Sequence, residues 1–226
     1  MPFDALFIRH AESLADVGAT TDHPAQYALT DRGRQQAATF AKATAVVPQV
    51  IVHSPYLRAE QTALPLASRF PSVSVLKLPV HEFTYLDPEQ WRGTNTRQRQ
   101  PAVQAYWAAA DPGAQGGEAA ESFFEMFARV EATLAWLEKT NTGPIFVFSH
   151  ELFIRATMWR TLMPSLEAAA NTMAAFRAWQ LAAPLPPLSM TRLISNQAGE
   201  IVLAPPFRFK LTNLEKAAAA SEPSQG

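Results

Sequence analysis

The chain contains no cysteine. Disulfides, thiolate nucleophiles, cysteine-bound zinc and iron–sulfur clusters are thereby excluded, and the composition accords with a reducing, cytoplasmic setting. An excess of charge is missing too: 19 Lys and Arg against 20 Asp and Glu leave a formal net charge of −1. No overall basic field draws in nucleic acid or an anionic membrane, so neither is an expected partner. No apolar run reaches the roughly 18 residues of a membrane helix. Met1, Pro2, Phe3 and Asp4 carry neither the positive charge nor the long apolar stretch of a secretion signal. Lysine is scarce, with 14 of the 19 cations being Arg. Arginine's rigid fork of donors suits phosphate and carboxylate, although the bias bears on function only where particular arginines fall at a site. What remains is a chain of 226 residues, sized for one domain whose core needs no cross-links.

Four short apolar runs stand out, at residues 5–8, 50–52, 73–78 and 145–148. The first, second and fourth are continuous rather than alternating, the pattern of strands buried on both faces of a parallel sheet. Helical patterns lie between them. Residues 30–46 open on Thr30, a good N-cap, and place Ala37, Phe40, Ala41 and Thr44 on one face before Pro48. Residues 122–139 open on a Ser122–Glu125 capping box and carry an apolar stripe of Phe123, Phe127, Val130, Leu134 and Leu137. Further helices are expected at 57–69, 97–110, 151–162 and 165–180, and a late hairpin at 188–195 and 200–204. Strands alternating with helices predict a three-layer α/β/α domain with a mainly parallel central sheet. The domain is expected to span 1–212. Residues 213–226, rich in Ala and then polar, read as a flexible tail. Pro184, Pro186 and Pro187 read as a stiff connector. Leu166, Met173, Phe176 and Trp179 form an apolar face that is either core or the contact of a homodimer.

The residues that follow the strands carry the chemistry. Arg9 and His10 follow the first run, His53, Ser54 and Arg58 the second, His81 and Glu82 the third, Ser149 and His150 the fourth. Sites in open parallel sheets form beyond the carboxyl ends of the strands, so two His, two Arg and one Glu of these (His10, His150, Arg9, Arg58 and Glu82) are predicted to face one crevice. Two guanidinium groups directed at one spot call for an anion between them, and their geometry fits phosphate oxygens. A neutral imidazole can attack phosphorus, a second can help neutralise the transferring group, and a carboxyl group can protonate the leaving oxygen. Phosphoryl transfer through a histidine is the favoured reaction. His53 reads as structural and His23 as a loop residue.

The ordered set of motifs resembles the histidine phosphatase superfamily, the phosphoglycerate mutase-like proteins. Arg9-His10-Ala11-Glu12-Ser13 is similar to its opening motif, the stretch from Leu29 to Ala37 to its first helix start, and the stretch from Ser54 to Ala63 to its second arginine motif. Glu82, Glu121-Ser122-Phe123 and Phe148-Ser149-His150 complete the likeness, which covers about residues 4–160. The resemblance implies that His10 is the nucleophile and forms a phosphohistidine. It implies that Arg9, Arg58 and His150 clamp the phosphoryl oxygens and that Glu82 is the general acid and base. No metal or other cofactor is implied.

Two positions depart from the family pattern. Ala11 stands where Gly is usual, which costs something if the backbone there needs a positive φ. Asp16 stands where many relatives carry Asn near the phosphate, and its charge repels a dianion unless the loop turns it away or it meets a cationic part of the substrate. Ser13, Asp16, Tyr85 and Arg92 are the expected substrate contacts. Residues 83–120, aromatic and basic, are either a lid that reads the rest of the substrate or packing for the core. The leading expectation is a metal-independent phosphatase for a small phosphorylated metabolite or a phosphoprotein. A cofactor-dependent phosphoglycerate mutase and a catalytically weak phosphometabolite-binding protein are the alternatives.

Overall fold

The computed structural model describes residues 3–20, 22–140, 143–165, 168–196 and 198–204. Six strands form one sheet: β1 (Asp4–Arg9), β2 (Val50–His53), β3 (Ser74–Lys77), β4 (Ile145–Ser149), β5 (Met190–Ser195) and β6 (Ile201–Ala204). Their order is β3-β2-β4-β1-β5-β6. The first four run parallel, and β5 and β6 add antiparallel to β1 as a hairpin at one edge. In register, Arg9 lies opposite Ser149 and His53 opposite Phe148, so the chain leaves β1, β2 and β4 at the same end of the sheet.

Helices cover both faces because successive strand residues point to opposite sides. Leu6, Ile8, Ile51, Phe146 and Phe148 meet α1 (Asp31–Ala43) and α2 (Leu57–Arg69) on one face. Ala5, Phe7, Val52, Ile145 and Val147 meet the larger cluster on the other. That cluster includes side chains of α3 (Thr96–Ala109), α4 (Phe123–Thr140), α5 (Glu151–Leu162) and α6 (Ala170–Ala182). The result is the three-layer, mainly parallel architecture. β3 is the exception to continuous burial: all four of its residues are exposed at the sheet edge.

Local signals set the helix ends. Thr30 Oγ1 accepts the Gly33 N–H at 2.9 Å and starts α1. The helix stops at Ala43, three residues short of the expected 46, where Thr44 is extended and its hydroxyl turns back to the Phe40 carbonyl. Ser122 and Glu125 exchange the bonds of a capping box. The helix expected from 165 begins only at Ala170, and residues 166–167 lie outside the described residues. Met173 and Phe176 are fully buried in the core, so that part of the apolar face is used within the chain. No described helix is long and apolar enough to cross a membrane. Residues 205–226, including the expected tail, lie outside the described residues.

Candidate active site

His10 follows β1 directly, and its N–H bonds to the Ser149 carbonyl at 2.9 Å. Ser54 follows β2 and its N–H bonds to the Phe148 carbonyl at 3.0 Å. Both thereby straddle the end of β4, whose chain continues into His150 and α5. The imidazoles of His10 and His150 stand 5.1 Å apart between centroids.

A hydrogen bond fixes the state of the His10 ring. His10 Nδ1 lies 2.8 Å from the Ala11 carbonyl, which can only accept, so Nδ1 carries the proton. Nε2 then holds a lone pair, and the Arg58 Nε–H points at it from 3.0 Å. Burial, followed by the charges of Arg58 and Arg9, holds the His10 pKa well below 6.5. The ring is a neutral, oriented base. His150 Nε2 lies 2.8 Å from Ser54 Oγ, which already accepts the Tyr56 N–H at 3.1 Å. A serine hydroxyl donates one bond and accepts two, so this contact suits either tautomer of His150. His150 Nδ1 is buried without a partner, as is the Arg9 Nε. The Arg9 Nε–H is thus an unspent donor, and His150 Nδ1 an unpartnered nitrogen of a ring whose centroid lies 5.1 Å from that of His10.

The arginines are held by the fold. Arg58, on the first turn of α2, is buried, donates to the Pro24 carbonyl at 2.7 Å and lies over the Tyr56 ring. Arg9 donates to the Leu185 carbonyl and to Asp16, and stands 3.7 Å from Glu151. Ser13 is fully buried, and its hydroxyl and N–H both go to Asp16. Asp16 is therefore not turned away from the site. Ala11 keeps a negative φ, since the positive-φ residues other than Gly are Ala110 and Leu188 among the described residues. Its N–H bonds to Thr62 Oγ1 at 3.0 Å, and its methyl packs with Leu29 and Ala37. The Gly-to-Ala departure is sterically accommodated.

Glu82 enters from the loop after β3. Its Oε1 accepts the N–H groups of Phe83 and Leu152, at 3.1 and 2.9 Å. Burial raises its pKa above 4.5, with Arg58 opposing and Glu151 adding to the shift. The loop is pinned on both sides: Arg129, bidentate to Glu121, donates to the Pro79 and His81 carbonyls, and Ser149 Oγ donates to Val80. His81 next door has its pKa lowered to about 4 by burial and Arg129, so it is neutral and carries no charge into the site.

A cavity of about 270 Å³ opens beside Glu82 and Arg58, with Tyr56, Tyr85, Trp91 and Arg99 among its walls. Tyr85, an expected substrate contact, faces it. Arg92, the other, does not line it: its guanidinium is bonded to Glu89 at 2.5 Å on the exposed surface. Arg99, farther along on α3, takes the place expected of Arg92. Within the aromatic segment, Phe83, Tyr106 and Trp107 are core residues while Tyr85 and Trp91 line the cavity. His53 bonds its neighbour's carbonyl, and His23 caps a short 3-10 turn. Among the described residues no cluster of three or more His, Asp and Glu is placed to hold a metal ion. Ser54, Thr62, Arg129 and Glu151 were not singled out from sequence. The first two lie inside the second arginine motif and Glu151 directly follows His150, so proximity to motifs was the one available signal.

The sequence matches the family model of the histidine phosphatase superfamily (branch 1) over residues 5–178. The chain belongs to that superfamily. Solved structures share the fold. A mycobacterial glucosyl-3-phosphoglycerate phosphatase is 21% identical with a TM-score of 0.67, the match covering 90% of this chain and 97% of that one. An α-ribazole phosphatase from Shigella flexneri is 22% identical with a TM-score of 0.67, covering 89% and 94%. A phosphoserine phosphatase from Entamoeba histolytica, in complex with 3-phosphoglyceric acid, is 19% identical with a TM-score of 0.68, covering 89% and 95%. No curated protein matches the sequence.

Proposed function

We propose that this protein is a metal-independent phosphatase that hydrolyses a phosphomonoester through a phosphohistidine on His10. The observation that carries the reading is the fixed tautomer of His10: Nδ1 bonded to the Ala11 carbonyl, with the Nε2 lone pair facing Arg58. In the first step Nε2 attacks phosphorus and the ester P–O bond breaks. Glu82, protonated, gives its proton to the departing alkoxide. Arg58, the free Arg9 Nε–H and a His150 Nδ1–H take the charge that spreads over the phosphoryl oxygens. In the second step water attacks phosphorus, Glu82 takes its proton, and the N–P bond breaks to release inorganic phosphate and the neutral His10 lone pair.

The cavity lies close to the lower end of the range typical of small-ligand pockets, about 300–1,000 Å³, which supports a small phosphorylated metabolite over a phosphoprotein. The solved relatives, named as phosphatases of glucosyl-3-phosphoglycerate, α-ribazole and phosphoserine, agree with hydrolysis. The proposed place of action is the cytoplasm.

The test is hydrolysis of para-nitrophenyl phosphate near pH 6 in EDTA, comparing wild type with His10→Ala. Turnover by wild type that survives EDTA and disappears in the variant supports the reading. It is sunk by loss of activity in EDTA or by an active His10→Ala protein. Interconversion of 3- and 2-phosphoglycerate well above the rate of phosphate release would replace it with a mutase. Tight ester binding without turnover of any ester would replace it with a binding protein.

A further inference from the structure

The cavity beside Glu82 holds one cation that the phosphoryl chemistry does not use. Arg99 is half-buried in its wall. Its guanidinium donates to the Thr94 carbonyl at 2.9 Å and to Thr94 Oγ1 at 3.2 Å, and lies 3.5 Å from the Tyr27 hydroxyl. These neutral oxygens aim the group without compensating its charge. Among the described residues, no ion pair includes Arg99.

Two aspartates share the cavity with Arg99 and Glu82, and neither forms an ion pair with Arg99. The Asp87 carboxylate is committed to backbone, accepting from Glu89 N–H at 2.8 Å, Gln90 N–H at 3.4 Å and Ala119 N–H at 3.2 Å. Asp22 is exposed at the rim, and Arg92 lies within its electrostatic reach. The wall between is apolar, built from Phe83, Leu86, Trp91, Val103 and Leu152. A fixed cation in such surroundings gains most from an anion that arrives already desolvated on its far side and forms charge-assisted hydrogen bonds.

We infer that the cavity recognises the leaving part of the substrate through a second anionic group, so that the preferred phosphomonoester carries a carboxylate on an apolar or flat body, with the carboxylate seated on Arg99. The inference deepens the phosphatase reading and rests on it for one point, that the phosphoryl group sits beside Arg58 in the same crevice. An amine in place of the carboxylate would leave Arg99 facing a like charge, with Asp22 at the rim and the backbone-bonded Asp87 as the aspartates of that cavity.

Three non-hydrolysable probes separate the cases: benzylphosphonate, 4-carboxybenzylphosphonate and 4-(aminomethyl)benzylphosphonate, titrated calorimetrically into the full-length enzyme. The carboxylated probe is expected to bind about tenfold more tightly than benzylphosphonate, the gain of one charge-assisted hydrogen bond. Arg99→Gln is expected to bring the two level, and Arg99→Lys to restore part of the difference. Equal binding of the two probes by wild type, tightest binding of the amine, a preference that persists in Arg99→Gln, or no binding of any probe overturns the inference. Turnover of para-nitrophenyl phosphate reports separately on the phosphatase reading. An enzyme that hydrolyses this ester yet treats the three phosphonates alike keeps that reading and loses the present one. Arg99-dependent selectivity without any hydrolysis does the reverse.

Discussion

The Arg9 guanidinium is bonded to the Asp16 carboxylate at 2.5 Å. The same carboxylate takes the N–H and the hydroxyl of Ser13, at 2.8 and 2.6 Å. Donors that suit a phosphoryl group are thus occupied by an anion belonging to the protein, 4.0 Å from His10 Nδ1. Asp16→Asn keeps the size and one acceptor oxygen while removing the charge. The inhibition constant for inorganic phosphate is expected to fall by about three- to tenfold, the scale of one like-charge contact near a surface. Competitive inhibition assays measure it, and an unchanged or higher constant would show that the carboxylate swings clear when phosphate enters.

Glu82→Gln separates proton donation from binding. An alkyl phosphate, whose alkoxide needs a proton, should lose about 10²–10⁴ in kcat. Para-nitrophenyl phosphate, with a leaving group stable as its anion, should lose far less. Equal losses on both esters would remove Glu82 from the acid role.

The two shifted groups also set the pH profile. In the proposed mechanism His10 must be neutral to attack, and its depressed pKa keeps it so well below pH 6.5. Glu82 must be protonated, and its raised pKa extends that form above the 4.5 of a free carboxyl group. Activity is therefore expected to be greatest in mildly acidic solution and to fall as pH rises through the Glu82 pKa. A kcat/KM profile on an alkyl phosphate tests this, and a rate still climbing above about pH 8 contradicts it.

Stability follows a related rule with its own sign. His150 is fully buried, and burial followed by the charge of Arg58 depresses its pKa well below 6.5. The unfolded chain then binds the extra proton first, so the stability associated with the neutral ring is complete above 6.5 and is lost as pH falls. Glu82 acts the opposite way, its raised pKa favouring the folded state at low pH. The urea midpoint of wild type is expected to drop between pH 7 and pH 5, and that of His150→Gln to drop less. A steeper fall in the variant would count against the assignment.

Gly33 sits on the first turn of α1 where the loop after His10 crosses it. A Cβ there would lie 1.9 Å from the Glu12 carbonyl oxygen and 2.9 Å from its carbon, both backbone atoms. Gly33→Ala must push the loop off the helix. A loss of about 2 kcal/mol, or about 4–8 °C in thermal midpoint, is expected from overpacking of this kind. A scanning melt checks it.

Much of the fold was legible because local signals and burial agree. The runs at 5–8, 50–52 and 145–148 are apolar on both faces, and they became the buried parallel strands. Ser122 and Glu125 announced the start of α4 through a reciprocal pair that needs no tertiary context. The strand-end rule also located His10, Arg58 and His150 at one end of the sheet. What sequence could not supply was direction within irregular segments. Arg92 and Arg99 are the same residue type seven positions apart, and which one faces the cavity depends on where α3 begins and how Glu89 folds back. The Ser54–His150 contact spans 96 positions and exists only because β2 lies beside β4.

The strand order has a consequence during synthesis. β1 lies between β4 and β5, which leave the ribosome about 140 to 190 residues after it. At roughly 5–20 residues per second, its apolar residues wait many seconds without their neighbours. The segment that leads into His10 thus stays without its sheet partners until late in synthesis, and the crevice at the strand ends exists only once the whole sheet has closed.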